Sequence, residues 1–173
     1  MKNGTVLLFP PGPDIVGQAI KDVTHGPAHV KIVVGGLVFD DTIWHQPGRL
    51  LPVSGARISF VEDAPLWGDF VARDPVVEWG PGETYRALLE AVAQVNLRRR
   101  YNIPLLIADS VIYPTRHLWE KIGWVPFEHA HDYVCSSFAA LVYRASGRDP
   151  WPGKDTEELV PLDFVDCPEW RNE

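Results

Sequence analysis

His29-Val-Lys-Ile-Val-Val34, Gly35-Gly36, Leu37-Val-Phe-Asp-Asp-Thr-Ile-Trp44 is the stretch whose reading decides the fold. Two runs rich in β-branched and aromatic residues flank a pair of glycines, the pattern of a β-hairpin closed by a two-residue turn. Such a turn sets Val34 opposite Leu37 and His29 opposite Thr42. Strand side chains alternate between faces, so residues 40, 42 and 44 share the face of His29. Asp40 is then a diagonal neighbour able to accept an imidazole N–H, and Asp41 points away. A turn of the other parity exchanges the two aspartates.

Outward from the hairpin, Val6-Leu7-Leu8-Phe9 reads as a first buried strand closed by Pro10-Pro11, and Asp14 as the N-cap of a short helix from Ile15 to about Val23. Arg57-Ile-Ser-Phe-Val61 alternates polar and apolar and predicts another strand of the same sheet, with one more between Asp69 and Val77. Tyr85, Leu88, Leu89, Val92 and Val95 fall at helical spacing between Glu83 and about Arg99, after the punctuating Pro81-Gly82. Pro104 and Pro114 break residues 103–124 into short helical pieces and loops. Tyr133 to Gly147 predicts a buried helix with Phe138, Leu141, Val142 and Ala145 as its stripe and Gly147 as its stop. Residues 148–173 are Pro-rich and charged, and predict a tail wrapped over the surface. The fold class expected is α+β, one domain over residues 1–173, in which a small antiparallel sheet packs against helices.

The composition narrows the function. With 173 residues, 46% apolar and 23% charged, the chain has the balance of an ordinary globular domain. Its 16 Lys and Arg against 23 Asp and Glu give a formal charge of -7, which argues against a broad nucleic-acid surface. The run Arg98-Arg99-Arg100 suits a helix C-terminus, where cations complement the dipole. No stretch approaches the roughly 18 apolar residues of a membrane span, and Val6–Phe9 is too short for a signal core, so the cytoplasm is the default location, with phage-associated delivery or export by another route as the alternatives. Two cysteines, Cys135 and Cys167, are too few for a disulfide framework. Seven tryptophans imply either an aromatic-lined groove or a bulky core.

Cys135 falls at the start of the helix after Tyr133, where unpaired backbone N–H groups and the dipole favour a thiolate. It lies three residues before Phe138 and so on the inward face; a buried cysteine there also serves as a small hydrophobe. A nucleophilic thiol needs an imidazole within reach and a third group to orient it. The candidates, His25, His29, His45, His117, His129 and His131, all precede Cys135, so any Cys–His pair runs histidine first. His29 opens a strand, where a side chain is held rigidly; His131, four residues before the thiol, is the other candidate. His129, His131, Asp132 and Cys135 superficially resemble a zinc cluster, but no Cys-x-x-Cys or His-Glu-x-x-His spacing supports a metal, and no Gly-x-Ser-x-Gly supports a catalytic serine.

These residues resemble a known family. Gly-Pro-Ala-His29-Val-Lys-Ile-Val-Val, a hairpin carrying an acid, and then Tyr133-Val-Cys135-Ser-Ser-Phe-Ala-Ala-Leu-Val are similar to the circularly permuted NlpC/P60 (YiiX/YebB-like) group of papain-like cysteine hydrolases, distant relatives of the lecithin:retinol acyltransferases. The resemblance implies a permuted papain-like fold, His29 as base and Cys135 as nucleophile. Val38-Phe-Asp40-Asp-Thr looks like the segment that carries the third residue, which leaves Asp40, Asp41 or His45 for that role. Tyr101-Asn102 is similar to the pair whose tyrosine helps form the oxyanion site, and Leu159-Val-Pro-Leu-Asp-Phe164 to the closing segment. Lys31 replaces a usual glycine, Asp40 stands where glutamate is commoner, and residues 62–100 have no counterpart. Ser136 after the cysteine departs from the Asn-Cys-Glu signature of the acyltransferases. The expected function is a peptidase or amidase that cleaves an amide, as in a cell-wall-type peptide, with a peptide or acyl-amide/ester substrate and no cofactor. A lipid-directed acyltransferase or thioesterase and a catalytically idle binding module are the alternatives.

Overall fold

A computed structural model describes residues 1–11, 26–44, 53–97 and 134–170. Five strands form one antiparallel sheet in the order β4-β3-β2-β1-β5: β1 Val6–Phe9, β2 His29–Val34, β3 Leu37–Trp44, β4 Val53–Phe60 and β5 Val71–Arg73. Two α-helices follow among the described residues, α1 Pro81–Leu97 and α2 Cys135–Ala145. The architecture is α+β, as the residue pattern predicts. The expected helix over 15–23, the pieces within 103–124 and the run Arg98–Arg100 lie outside the described residues.

The hairpin forms in the expected register. Val34 pairs with Leu37, Val33 with Val38 and Ile32 with Phe39, and Gly35 and Gly36 adopt φ of 62° and 76°, the left-handed region that glycine enters without strain. β4 starts four residues earlier than Arg57 and ends at Phe60, because Val61 already turns into a 3-10 segment, Val61–Leu66.

The two faces of the sheet differ in kind. Val6, Leu8, Val30, Ile32, Val34 and Phe39 bury one face against Phe138, Ala139, Val142 and Tyr143 of α2. Leu7, Val33 and Val38 form a smaller apolar cluster on the opposite face with Phe9, Trp67 and Phe70. α1 packs on α2 through Ala87 and Ala91, both fully buried, whereas Tyr85 and Leu89 are more than half exposed. Of the stripe expected on α1, Leu88, Val92 and Val95 pack against the core, while Tyr85 and Leu89 turn outward and Ala87 and Ala91 take the centre of the contact. Small side chains let α1 approach the bulky face of α2, and a reading weighted by side-chain size overlooks them. On α2 itself, Leu141 and Ala145 are only half-buried, while residues 135–140 are buried all round.

The C-terminal segment corrects the expectation of a surface tail. Gly147 ends α2 at φ 102°, and the chain then returns through 3-10 turns at Thr156–Glu158, Pro161–Phe164 and Pro168–Trp170. It contributes Trp151, Leu159, Phe164, Cys167 and Trp170 to the main core. Cys167, expected in a solvated tail, is buried, and it is not disulfide-bonded to Cys135. Tyr143 anchors this aromatic layer, with ring centroids 4.8 Å from both Trp79 and Trp170 and its hydroxyl donating to Glu169 at 2.7 Å. Some of the charges in and around this segment are paired within the fold. Arg148 bonds Glu83 and Glu169, each at 2.8 Å, and Arg144 donates to Thr156 Oγ1 at 2.6 Å. Three of the tryptophans, Trp79, Trp151 and Trp170, therefore build core. Among the described residues no helix is long and apolar enough to cross a membrane.

Trp170 joins the two ends of the chain, with its ring in the core and its indole N–H donating to the Gly4 carbonyl at 3.0 Å. Trp170→Ala is expected to cost about 3–5 kcal/mol, the range for truncating a buried aromatic. Urea unfolding should show a lower midpoint; a change below about 0.5 kcal/mol, typical of a surface site, would mean that the tail does not stabilise the fold.

Candidate functional site

His29 is the first residue of β2, at the end of the sheet where β1 finishes in Phe9, its direct pairing partner. The two rings lie 5.9 Å apart. Counting along β2, His29 and Lys31 share a face with Val33; across the hairpin, Asp40 shares it with Val38, and Arg57 of β4 pairs directly with Asp40. Strand parity therefore gathers a histidine, a lysine, an aspartate and an arginine onto one patch. Asp41, the alternative acid, pairs with Ala56 and belongs to the other face.

Asp40 is the hub. Its side chain is 1% exposed, and three cationic groups surround it. Arg57 donates through Nε to Oδ1 at 2.8 Å and through a terminal nitrogen to Oδ2 at 3.1 Å, a bidentate pair. Lys31 Nζ lies 3.2 Å from Oδ2. His29 Nε2 is 3.8 Å from the same oxygen, an ionic approach that is too long for a hydrogen bond. Asp40 is thus held by more than the expected His29 contact. Burial disfavours its charge, but His29, Arg57 and Lys31 together hold the carboxyl well below the usual carboxylate range.

Cys135 is the first residue of α2 and is buried. The residue before it, Val134, provides no side-chain cap, and the first turn of the helix itself carries no acid, so among the described residues of this helix start no acid offsets the favourable field of its N–H groups. Its neighbour Ser136 is tied back to the Leu159 carbonyl at 2.6 Å, which fixes the helix start against the C-terminal segment. The Cys135 side chain meets the imidazole of His29. Burial alone drives that ring toward neutrality, yet the charge and contact of Cys135, with Asp40 behind, raise its pKa to about 9. A thiol, an imidazole and a carboxylate thus meet, from α2, β2 and β3.

Lys31 and Arg57 are the residues of this patch to which the sequence reading gave no role. The signal that would find Lys31 is the same parity that pairs His29 with Asp40, since position 31 lies on that face too. Lys31 is 5% exposed, and its ammonium sits 4.7 Å from the Phe9 ring centroid and 4.5 Å from that of Trp67. Burial pulls its pKa below the usual lysine range, with Asp40 opposing. A cavity of about 380 Å³ opens at the same end of β1, where Pro10, Pro11, Phe70 and Val165 stand beside the charged Asp69 and Arg73; His29, Lys31, Asp40 and Cys135 do not line it. Tyr101, His25, His45, His117, His129 and His131 lie outside the described residues, as does Asp132. Among the described residues no cluster of His, Cys, Asp and Glu is arranged to hold a metal ion.

Asp40→Asn removes the one negative charge between Lys31 and Arg57, and breaking a buried ion cluster in this way is expected to destabilise the fold by about 3–5 kcal/mol. The sign with pH follows from the depressed carboxyl. Its contribution is complete above the unfolded pKa of about 3.9 and is lost as pH falls through the lower native value. Denaturant midpoints of wild type and Asp40→Asn should therefore converge on acidification; a gap that stayed constant down to pH 2 would contradict the ionic role.

No protein-family model matches the chain, and no curated protein shows significant similarity to it.

Proposed function

We propose that the chain is a cysteine hydrolase of peptidase or amidase type with a permuted papain-like (NlpC/P60) arrangement. The observation that carries this reading is the buried Cys135 at the first residue of α2, against a His29 ring whose pKa is raised and which is backed by Asp40. A helix start stabilises a thiolate, and an adjacent imidazolium does so further. In the reaction, Cys135 Sγ attacks the substrate carbonyl carbon while His29 holds the proton. As the tetrahedral intermediate collapses, the C–N bond breaks and His29 delivers its proton to the leaving amine. Water then attacks the thioester carbonyl, giving up a proton to His29; the C–S bond breaks, the acid leaves, and the Cys135 thiolate and His29 imidazolium are restored. The Cys135 backbone N–H would stabilise the oxyanion, a role that the family resemblance also assigns to Tyr101. Asp40 keeps the imidazole charged and oriented. The substrate would be an amide of the kind found in cell-wall peptides.

Two experiments test the reading. Cys135→Ala should abolish hydrolysis of an activated ester such as 4-nitrophenyl acetate and keep the wild-type circular dichroism; turnover at the wild-type rate would exclude Cys135 as nucleophile.

The second concerns charge. Alkylation of Cys135 by anionic iodoacetate should be fast near neutral pH and decline as pH rises through about 9, where His29 loses its proton, whereas neutral iodoacetamide should show no such decline. In His29→Ala the decline should vanish, and the reactive thiol should titrate near the unperturbed value of about 8.5. Identical profiles for His29→Ala and wild type would remove His29 from the site.

A further inference from the structure

We propose that Lys31 is a positioning residue: by holding the Asp40 carboxylate it keeps that charge at a distance from His29 and so sets how firmly the imidazole keeps its proton. The inference deepens the Cys135–His29 reading and rests on it.

The geometry is a competition for one oxygen. Asp40 Oδ2 receives Lys31 Nζ at 3.2 Å and an Arg57 nitrogen at 3.1 Å, while His29 Nε2 stands off at 3.8 Å. His29 Nε2 is itself buried with no hydrogen-bond partner, so the imidazole has an unused donor facing the carboxylate that Lys31 occupies. A lysine is a costly occupant of a buried site unless it is paired. Here the chain supplies a seat as well as a counter-ion: the faces of Phe9 and Trp67 flank the ammonium. Phe9 also packs on the His29 ring, so one side chain from β1 sets the spacing of both cations. Among the described residues, the charged groups that act on this cluster are His29 and Lys31 on β2, Asp40 on β3, Arg57 on β4 and Cys135 on α2; from β1, Leu7 pairs with Lys31 and Phe9 with His29, neither of them charged.

Two consequences follow from Coulomb's law. The Lys31 charge neutralises part of the field that Asp40 exerts on His29, and it repels the imidazolium directly. Both lower the proton affinity of His29 relative to a site with Asp40 and Arg57 alone. The imidazole is thereby left able to release its proton to a leaving group, the requirement for a general acid working near neutral pH.

The experiment is an NMR titration of the His29 ring, assigned by its loss in His29→Ala, together with the pH profile of iodoacetate labelling, in wild type, Lys31→Met and Lys31→Arg. Lys31→Met should raise the His29 midpoint by about one pH unit, the scale on which a single near charge acts, and move the alkaline decline of labelling upward with it. Lys31→Arg, which keeps the charge, should restore the wild-type midpoint. If circular dichroism shows Lys31→Met unfolded, Trp67→Leu loosens the same ammonium from its seat and should shift the midpoint upward by less. An unchanged or lowered midpoint in the folded variant overturns the proposal. A His29→Ala profile identical to wild type would instead defeat the Cys135–His29 reading itself. A changed His29→Ala profile with an unmoved Lys31→Met midpoint would defeat only the role of Lys31.

Discussion

The two-residue turn at Gly35–Gly36 sets the parity of β2 against β3, and most of what is distinctive about this chain depends on that parity. With Val34 opposite Leu37, residues of odd number on β2 and even number on β3 share a face. Val30, Ile32, Val34 and Phe39 then meet α2 in the core, while Lys31 and Asp40 are gathered on the opposite side, with His29 at the strand end where it reaches both Asp40 and Cys135. One residue more or less in the turn would put charged side chains into the core and turn apolar ones outward. The free-energy penalty for that slip is the sum of several lost apolar burials and several unpaired charges, which is why the register is unambiguous.

A cluster of cations around one buried acid is an unusual way to use a sheet face. Asp40 alone would be an expensive group to bury, and so would Lys31. Together with Arg57 they satisfy one another through two oxygens and the geometry of three adjacent strands. The pairing braces the sheet beside His29, and the surrounding cations favour the ionised carboxylate. Cys135 is brought to this place by a separate constraint. α2 starts at Cys135 itself, packs through Phe138 and Tyr143, and is tied at Ser136 to the returning C-terminal segment. The thiol and the imidazole therefore belong to two independently braced bodies, a helix start and a strand end, and their meeting reflects how the helix lies on the sheet.

Local chemistry made much of this legible from the amino acids. The hairpin, the first strand, the two helices and the Gly147 stop all follow from alternation, helical spacing and turn residues, which act over a few positions. The parity of a two-residue turn by itself places Asp40 rather than Asp41 on the face of His29. It did not extend to Lys31, because a lysine in a strand is ordinarily a solvated residue, and only the Phe9 and Trp67 rings make position 31 a buried site. Nor did spacing reveal that α1 buries alanines and exposes Tyr85, since the choice of face depends on what the partner helix presents.

The division between sequence and tertiary structure follows from range. By itself the sequence determined the α+β class, the register of the hairpin, the place of Cys135 at a helix start and the shared face of His29 and Asp40, because each is governed by backbone geometry or by neighbours within a few residues. Only the tertiary structure decided that a Pro-rich, charged tail closes the aromatic core through Trp151, Phe164 and Trp170, that Lys31 and Arg57 share the Asp40 carboxylate, and that Cys135 meets His29 more than a hundred positions away. Those outcomes depend on which surfaces remain to be covered once the sheet has formed, and a buried charge or a tryptophan gains its role only from partners that the chain brings back from far along its length.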